Sequence, residues 1–532
     1  MDDLNCKTVT DFSKEFYHDK QNKLAQNAVR GAGDLSTVLM DAYKARDYNE
    51  VFTNAIHVDV KATNQETSGR CWLFAILNVI RLNMIQNYKL DKEFELSQAY
   101  PFFWDQFEKS NYFLKKVIEF RNKPIDDQYN RILFSEPVSD GGQWNMVVNL
   151  VNKYGLVPKN DMDETFHTSN TDQMKRFLNN KLREYAVDIR KMPNSYFTGN
   201  KDILKKRLKE MMYSIFKIIT IFMGTPPDKV DWSFYQNIPN IPNSKGNKRS
   251  RKTRRISRRS KYRRSKYRRS KSRRSKAKRS KKKRGIKKTK KLKGGKKEED
   301  DKILVRRQVF PNNKTTATKD KTYAAIKNIT PLEFYKNHIN YNCDEKISLI
   351  NFPHKSRPFY KVYKVEYANN MDNDNISTYI NVPIDVMMKV ASKSIKDGEA
   401  LWFGSDVDKN VHHLNGIMDT ESINYKETFD IDLEIEKGEA LLTKAGEVNH
   451  AMVIKGFNCE KGKSINKWWV ENSWGDENDN YGNYVMSTPW FKRHVYQIVI
   501  DKKYCDSKIL DSLKSKPTLV KLWDPFGNLL IR

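Results

Sequence analysis

The stretch NQETSGRCWLFA, residues 64–75, sets Cys71 between a Ser-Gly-Arg turn and an apolar run. That run continues as CWLFAILNVIRLNMIQNY (71–88), apolar on most faces with Arg81 as the early exception. The pattern predicts a buried helix beginning at or just before Cys71. A thiol in that place has two physical readings. It is a small buried hydrophobe, the commoner case for a lone cysteine. Or it is a nucleophile, its thiolate favoured by the helix dipole and a nearby imidazolium. In the second reading the Cys71 backbone N–H, free in the first turn, and the side-chain amide of Gln65 are donors for a developing oxyanion.

A nucleophilic thiol needs a base and something to orient that base. His450 in VNHAMVI opens a strand-like run, and Asn472 in VENSWG opens a turn 22 residues later. An asparagine oxygen accepts the imidazole N–H and fixes its tautomer, and Trp474 can cover that bond from water. Taken singly, each residue has a plainer explanation. A histidine before a strand is usually a satisfied surface or core residue, an asparagine in a turn serves turn geometry, and Trp72 and Trp474 are core. The ordered set is more specific: Gln-x5-Cys-Trp, then Asn-His-Ala, then Glu-Asn-Ser-Trp-Gly.

The chain has 532 residues, 38% of them apolar and 12% aromatic, enough to bury a sizeable core. Its formal net charge of +33 is concentrated in one place. Residues 245–297 hold 32 Lys and Arg among 53 residues and no Asp or Glu, so the rest is close to charge-balanced. Cysteines stand at 6, 71, 343, 459 and 505, an odd number, widely spaced and without a CxxC pair. This argues against a disulfide framework and a cysteine zinc site, and no metal or cofactor is expected. The start, MDDLNCKTVTDFSKEF, is charged and lacks the apolar region of a secretory signal. No uncharged apolar run approaches the ~18 residues of a membrane span. MMYSIFKIITIFMG (211–224) reads as a core helix with a stop signal before Pro226 and Pro227. A reducing, cytosol-like compartment is expected.

Six segments are expected: an N-terminal arm (1–60), a helical half with the cysteine (61–235), a loop (236–325) with the basic insert, an insertion leading into the β half (326–440), the β half with His450 and Asn472 (441–510), and a C-terminal arm (511–532). FYKVYKVEYA (359–368) alternates as a strand does, and HAMVIKGF, KWWVENSW and YGNYVMST read as further strands. The fold class is α+β, with a cleft between a helical and a β half. Within the insert, RRSKYRRSKYRRSKSRRSKA (258–277) repeats a five-residue unit four times. Such a segment cannot bury apolar surface, and disorder is expected.

QETSGRCWLFA, NHAMVIKGF and WWVENSWGDENDNYGNYVMS resemble the papain-like cysteine peptidases. Cys71 and His450 are 379 residues apart, against about 130–150 in the papain pattern. SGRCW also replaces the usual CGSCW. Both departures resemble one branch, the bleomycin hydrolase family, cytosolic aminopeptidases with long insertions. FFWDQFEKSNYFL (102–114), SDGGQWNMVVNLVNKYGLVPK (139–159), TPLEFYKNHI (330–339), SIKDGEALWFGSDV (394–407) and LWDPFG (522–527) are similar to that branch as well.

The resemblance implies a papain-like fold with a helical half and a β-barrel-like half. It implies peptide substrates, with Cys71 as nucleophile, His450 as base and acid, Asn472 as orienter and Gln65 as oxyanion donor. It implies a homohexamer, and a C-terminal arm lying in the cleft so that an endopeptidase plan becomes an aminopeptidase. Gly141, Gly142, Trp474 and Arg532 are the substrate-binding candidates. Without the resemblance, Gly141-Gly142 is a simple turn. The tail is about one residue longer than the family's usual ending, so trimming of Arg532 is expected. Two other readings stay open: a papain-like endopeptidase whose altered tail no longer blocks the cleft, and a polyanion- or nucleic-acid-binding protein that uses 245–297. A nuclear-localisation reading of KRSKKKR (278–284) accompanies the second.

Overall fold

The run that opens at Cys71 forms the helix Cys71–Tyr88, with the bounds its pattern predicts. Nearly every face is buried, including Trp72, Phe74, Ile76 and Ile80. Its end is set by Lys89, in the left-handed conformation with its N–H bonded to the Ile85 carbonyl. The computed structural model describes residues 4–237, 306–308 and 321–530, apart from Asp59, Asn200, Asp374, Glu477 and Asp479. The basic segment 245–297 and Arg532 lie outside the described residues.

Helices Ala99–Glu119, Trp144–Tyr154, Asp172–Lys191 and Lys201–Met223 are the other long helices of the helical half. The last contains the stretch read as a core helix, but only one face is buried, by Met211, Ile215, Ile219 and Met223. Tyr213 and Ile221 face solvent. The stop signal acts where expected: Gly224 comes next with φ +83°, open to glycine at no steric cost. No described helix is long and apolar enough to cross a membrane.

The β half is a 12-stranded mixed sheet. Its centre is the strand His450–Asn458, antiparallel to Leu401–Ser405 on one side and to Lys467–Glu471 on the other. The cysteine helix packs on this strand, and the Trp402 indole N–H donates to the Trp72 carbonyl at 3.2 Å. The sheet is buried on both faces here, so residues 450–457 are all buried rather than alternating. The described fold is the expected α+β, papain-like plan.

Local expectations fail in two places. The run 359–368 is a strand only over Val362–Val365, because Tyr360 and Tyr367 take φ +61° and +60° and end the extension. Second, the span 236–325, read as loop, contains strand wherever it is described. Val230–Asn237 and Lys321–Ile329 pair antiparallel, with Arg306–Gln308 on the other edge of the latter. The C-terminal segment docks through Thr518–Val520, parallel to Val362–Val365. Phe526 is then buried against Tyr363, Tyr379 and Phe352, at ring distances of 5.0, 5.7 and 6.1 Å.

Candidate active site

Cys71 is the first residue of its helix, so neither its N–H nor that of Trp72 has an acceptor within the helix. Arg70 caps the helix through its carbonyl alone, accepting from Leu73 and Phe74 at 2.9 and 3.0 Å. The thiol is buried, with the backbone amides of Ala451, Trp72 and Cys71 itself near the sulfur. Ala451 is next to His450, so the strand brings the imidazole to the cysteine.

Asn472 is the first residue after the strand Lys467–Glu471, which pairs with the histidine strand through Val453 and Glu471. That register sets His450 and Asn472 side by side. His450 Nε2 and Asn472 Oδ1 are 2.7 Å apart. With Nε2 donating to this oxygen, Nδ1 is left for the thiol. Asn472 Oδ1 also accepts the Ser473 N–H at 2.8 Å. Trp474 lies over the imidazole, with ring centroids 4.6 Å apart, and keeps water from the bond. Beneath the turn, Lys455 and Glu471 form a buried ion pair at 3.0 Å.

Gln65 is bound at both ends. Its Nε2 donates to the Ser68 carbonyl at 2.7 Å, and its Oε1 accepts from Ser473 Oγ at 2.7 Å. An amide nitrogen carries two hydrogens, so one is left over. Ser473 therefore touches both the orienter of the histidine and the oxyanion candidate. The loop 65–71 is tied down further by Arg70, wholly buried, whose Nε donates to Ser68 Oγ at 3.0 Å and whose Nη1 pairs with Glu164 at 2.9 Å. The sequence reading gives Ser473, Ser68 and Glu164 no role. They meet across the fold, and no local pattern announces them.

The Asp140-Gly141-Gly142 loop sits against the same helix. The Trp72 indole donates to the Asp140 carbonyl at 2.8 Å, and Thr171 Oγ1 donates to the Asp140 carboxylate at 2.5 Å. A Cβ at Gly142 would stand 2.5 Å from the Trp72 ring, so this glycine is needed for a fit against tryptophan. The Gly141 carbonyl accepts from Lys109 Nζ at 2.6 Å. Both glycines line a cavity of about 200 Å³, and so does Leu530 of the C-terminal arm. The arm is also tied to the segment leading into the histidine strand: the Asn528 carbonyl accepts the Val448 N–H at 2.8 Å.

The electrostatics correct one expectation. Burial pushes the Cys71 thiol up to about 11, more than the three amide donors pull it down. Burial also pushes His450 down to about 4, against the Asn472 hydrogen bond. A lone thiolate or a lone imidazolium is therefore disfavoured. The two charges are tolerable together, because proton transfer from Sγ to the imidazole leaves a pair with no net charge that attracts itself. The structure brings together Cys71, His450, Asn472, Gln65 and Trp474 at one site, with Gly141 and Gly142 on the same helix-bearing side.

A family model described as the Peptidase C1-like family matches residues 3–250 and 310–527. The bleomycin hydrolase of Gallus gallus is 32% identical, over 99% of this chain and 98% of its own. That of Homo sapiens is 31% identical over 99% and 98%. Aminopeptidase G of Lactobacillus delbrueckii subsp. lactis is 31% identical over 98% and 99%. Among solved structures, PepW from Lactobacillus rhamnosis is 29% identical with a TM-score of 0.78, over 99% of each chain.

Proposed function

The chain belongs to the Peptidase C1-like family and is a cysteine-type aminopeptidase of the bleomycin hydrolase type, and from that premise we propose how its residues share the reaction. Cys71 Sγ attacks the carbonyl carbon of the first peptide bond as its proton passes to His450. The oxyanion is met by the remaining Gln65 N–H and the Cys71 amide. His450 returns the proton to the leaving amine, the peptide departs, and a thioester remains on Cys71. Water, deprotonated by His450, then attacks the thioester, and the amino acid leaves as the thiol is restored. Asn472 holds the imidazole through both halves.

The observation that carries this assignment is the His450–Asn472 contact at 2.7 Å, which directs the other ring nitrogen to the cysteine helix. The arm favours an exopeptidase. Leu530 lines the Gly141–Gly142 cavity, and a chain segment placed there takes up room ahead of the scissile bond. Wild type and Cys71→Ala are to be compared on aminoacyl-coumarin and N-acetylated peptide-coumarin substrates, with mass mapping of an epoxysuccinyl thiol label. Only wild type should release coumarin, only from the free amine, and only Cys71 should be labelled. Cleavage of the blocked substrate at an equal rate would establish the endopeptidase reading instead.

Three features support the wider picture. Val9, Phe12 and Phe16 form an exposed apolar stripe at helical spacing on Cys6–His18, a helix with no buried residue, which favours self-association such as a homohexamer. All five cysteines are unpaired, which favours a reducing, cytoplasmic compartment. The 32 positive charges of 245–297 favour salt-sensitive polyanion binding beside the catalytic function.

A further inference from the structure

A second cavity, of about 450 Å³, opens beside the catalytic residues and has no place in the mechanism above. It shares Asn472 and Trp474 with the site and is lined also by Asp34, His413 and Tyr484. The Trp474 ring touches both imidazoles, His450 at 4.6 Å and His413 at 5.2 Å. Asp34 comes from the N-terminal arm, which the sequence gives no part in substrate binding.

The direction of the substrate settles what this cavity faces. On the aminopeptidase reading its N-terminal residue points toward the cavity of Gly141, Gly142 and Leu530. The chain beyond the scissile bond must run the other way, past His450, because that imidazole protonates the departing nitrogen. The first residue of the leaving peptide therefore passes Trp474 and meets the second cavity.

The lining sets its chemistry. No lysine or arginine is among the lining residues. The Asp34 carboxylate accepts the Ser36 N–H at 3.0 Å and the Ser36 hydroxyl, and these bonds hold it ionised. Each carboxylate oxygen can accept a further bond. His413 Nδ1 lies 3.3 Å from the Tyr484 hydroxyl, and desolvation of the ring shifts the imidazole toward its neutral form. Asp408, also near His413, adds a second negative charge. A cationic side chain finds a carboxylate here, with an indole for its aliphatic stem.

We propose that this cavity is the subsite for the residue just beyond the scissile bond, and that Asp34 makes it select lysine or arginine there. The inference rests on the aminopeptidase reading and names its substrate class. The test uses three tripeptides, Ala-Lys-Ala, Ala-Leu-Ala and Ala-Glu-Ala, with alanine release measured by chromatography, and alanyl-coumarin alongside. An exposed ion pair supplies up to about a fivefold gain, and like charges a similar loss. The expected kcat/KM ratio of Lys to Glu in wild type is therefore about 5 to 10. Taken within each enzyme, so that overall losses cancel, the ratio should fall to about 1 to 2 in Asp34→Asn. That variant keeps a good cap for the short helix Leu35–Leu39. His413→Lys, at a position with a solvent-facing side, should invert the preference. A wild-type ratio near 1, or a ratio unchanged in both variants, overturns the subsite. Coumarin release without that preference leaves the aminopeptidase reading standing, whereas no hydrolysis of any free-amine substrate overturns both.

Discussion

Replacing Phe526 by alanine should turn this aminopeptidase partly into an endopeptidase. Phe526 is fully buried, with its ring among Phe352, Tyr363 and Tyr379. Truncating such a phenylalanine costs about 3–5 kcal/mol. Leu529 is buried as well, Trp523 packs on Tyr129 and Lys521 pairs with Glu366, and the remaining ties of the last ten described residues are polar. Arg357 and Asp524 form an ion pair at 2.5 Å that is partly exposed, and Asn528 makes two hydrogen bonds, to the Val448 N–H and the Leu441 carbonyl. Each is worth about 1 kcal/mol net, which does not replace the ring. Against this stands the entropy of ordering the arm, about 1–2 kcal/mol per residue. At ~1.4 kcal/mol per tenfold, the docked-to-free ratio should fall by about 10² to 10³ or more. The arm then leaves the cavity at Gly141 and Gly142, and N-acetylated peptides enter. Two assays read this directly. Cleavage of N-acetylated peptide-coumarin should rise relative to the free-amine substrate, and limited trypsinolysis after Lys521 should quicken. The melting temperature should fall as well, because Phe526 packs in the same core as the sheet, so both assays are run well below the melt. A variant that stays strictly aminopeptidase while trypsin releases the arm would refute the idea that the arm blocks the cleft. An arm still protected would refute the account of what docks it.

The remaining predictions concern the catalytic residues. Gln65→Ala should lower kcat by about 10²–10³, the usual loss for one oxyanion donor, while iodoacetamide still alkylates Cys71, since that reaction forms no oxyanion. A loss in alkylation equal to the loss in kcat would assign Gln65 to holding the thiol instead. His450 also links folding to pH. Its pKa is lowered to about 4 by burial, against about 6.5 in an unfolded chain. Protonation therefore favours the unfolded state, and His450 removes stability as pH falls from about 6.5 to about 4. The full effect is about 3 kcal/mol. Thermal melts of wild type and His450→Gln across that window should show the variant losing less stability on acidification, and parallel losses would mean that His450 is not held neutral.

The cysteine helix is legible from residues 64–88 because its determinants are local: a glycine turn, then apolar residues all round, then a left-handed stop. Cys71, Trp72, His450 and Asn472 are legible because their order along the chain is distinctive even though each is bland alone. The supports are different in kind. Ser473 meets Gln65 across 408 positions, and Arg70 meets Glu164 across 94. Pairings of that range arise from how the helix docks on the sheet, and one sequence carries no trace of them. The same limit explains the strand read too long at 359–368, where two tyrosines adopt a backbone that favours glycine, held there by tertiary context that overrides alternation. It explains the thiol as well. A helix start and a histidine both point to a lowered pKa, but burial, the larger influence here, is a property of the folded whole. Because neither charge is stable alone, reactivity belongs to the Cys71–His450 pair. The network through Asn472, Ser473, Gln65 and Ser68 to Arg70 and Glu164 holds that pair and its oxyanion donor in one geometry, so loosening any single link should reach both halves of the reaction.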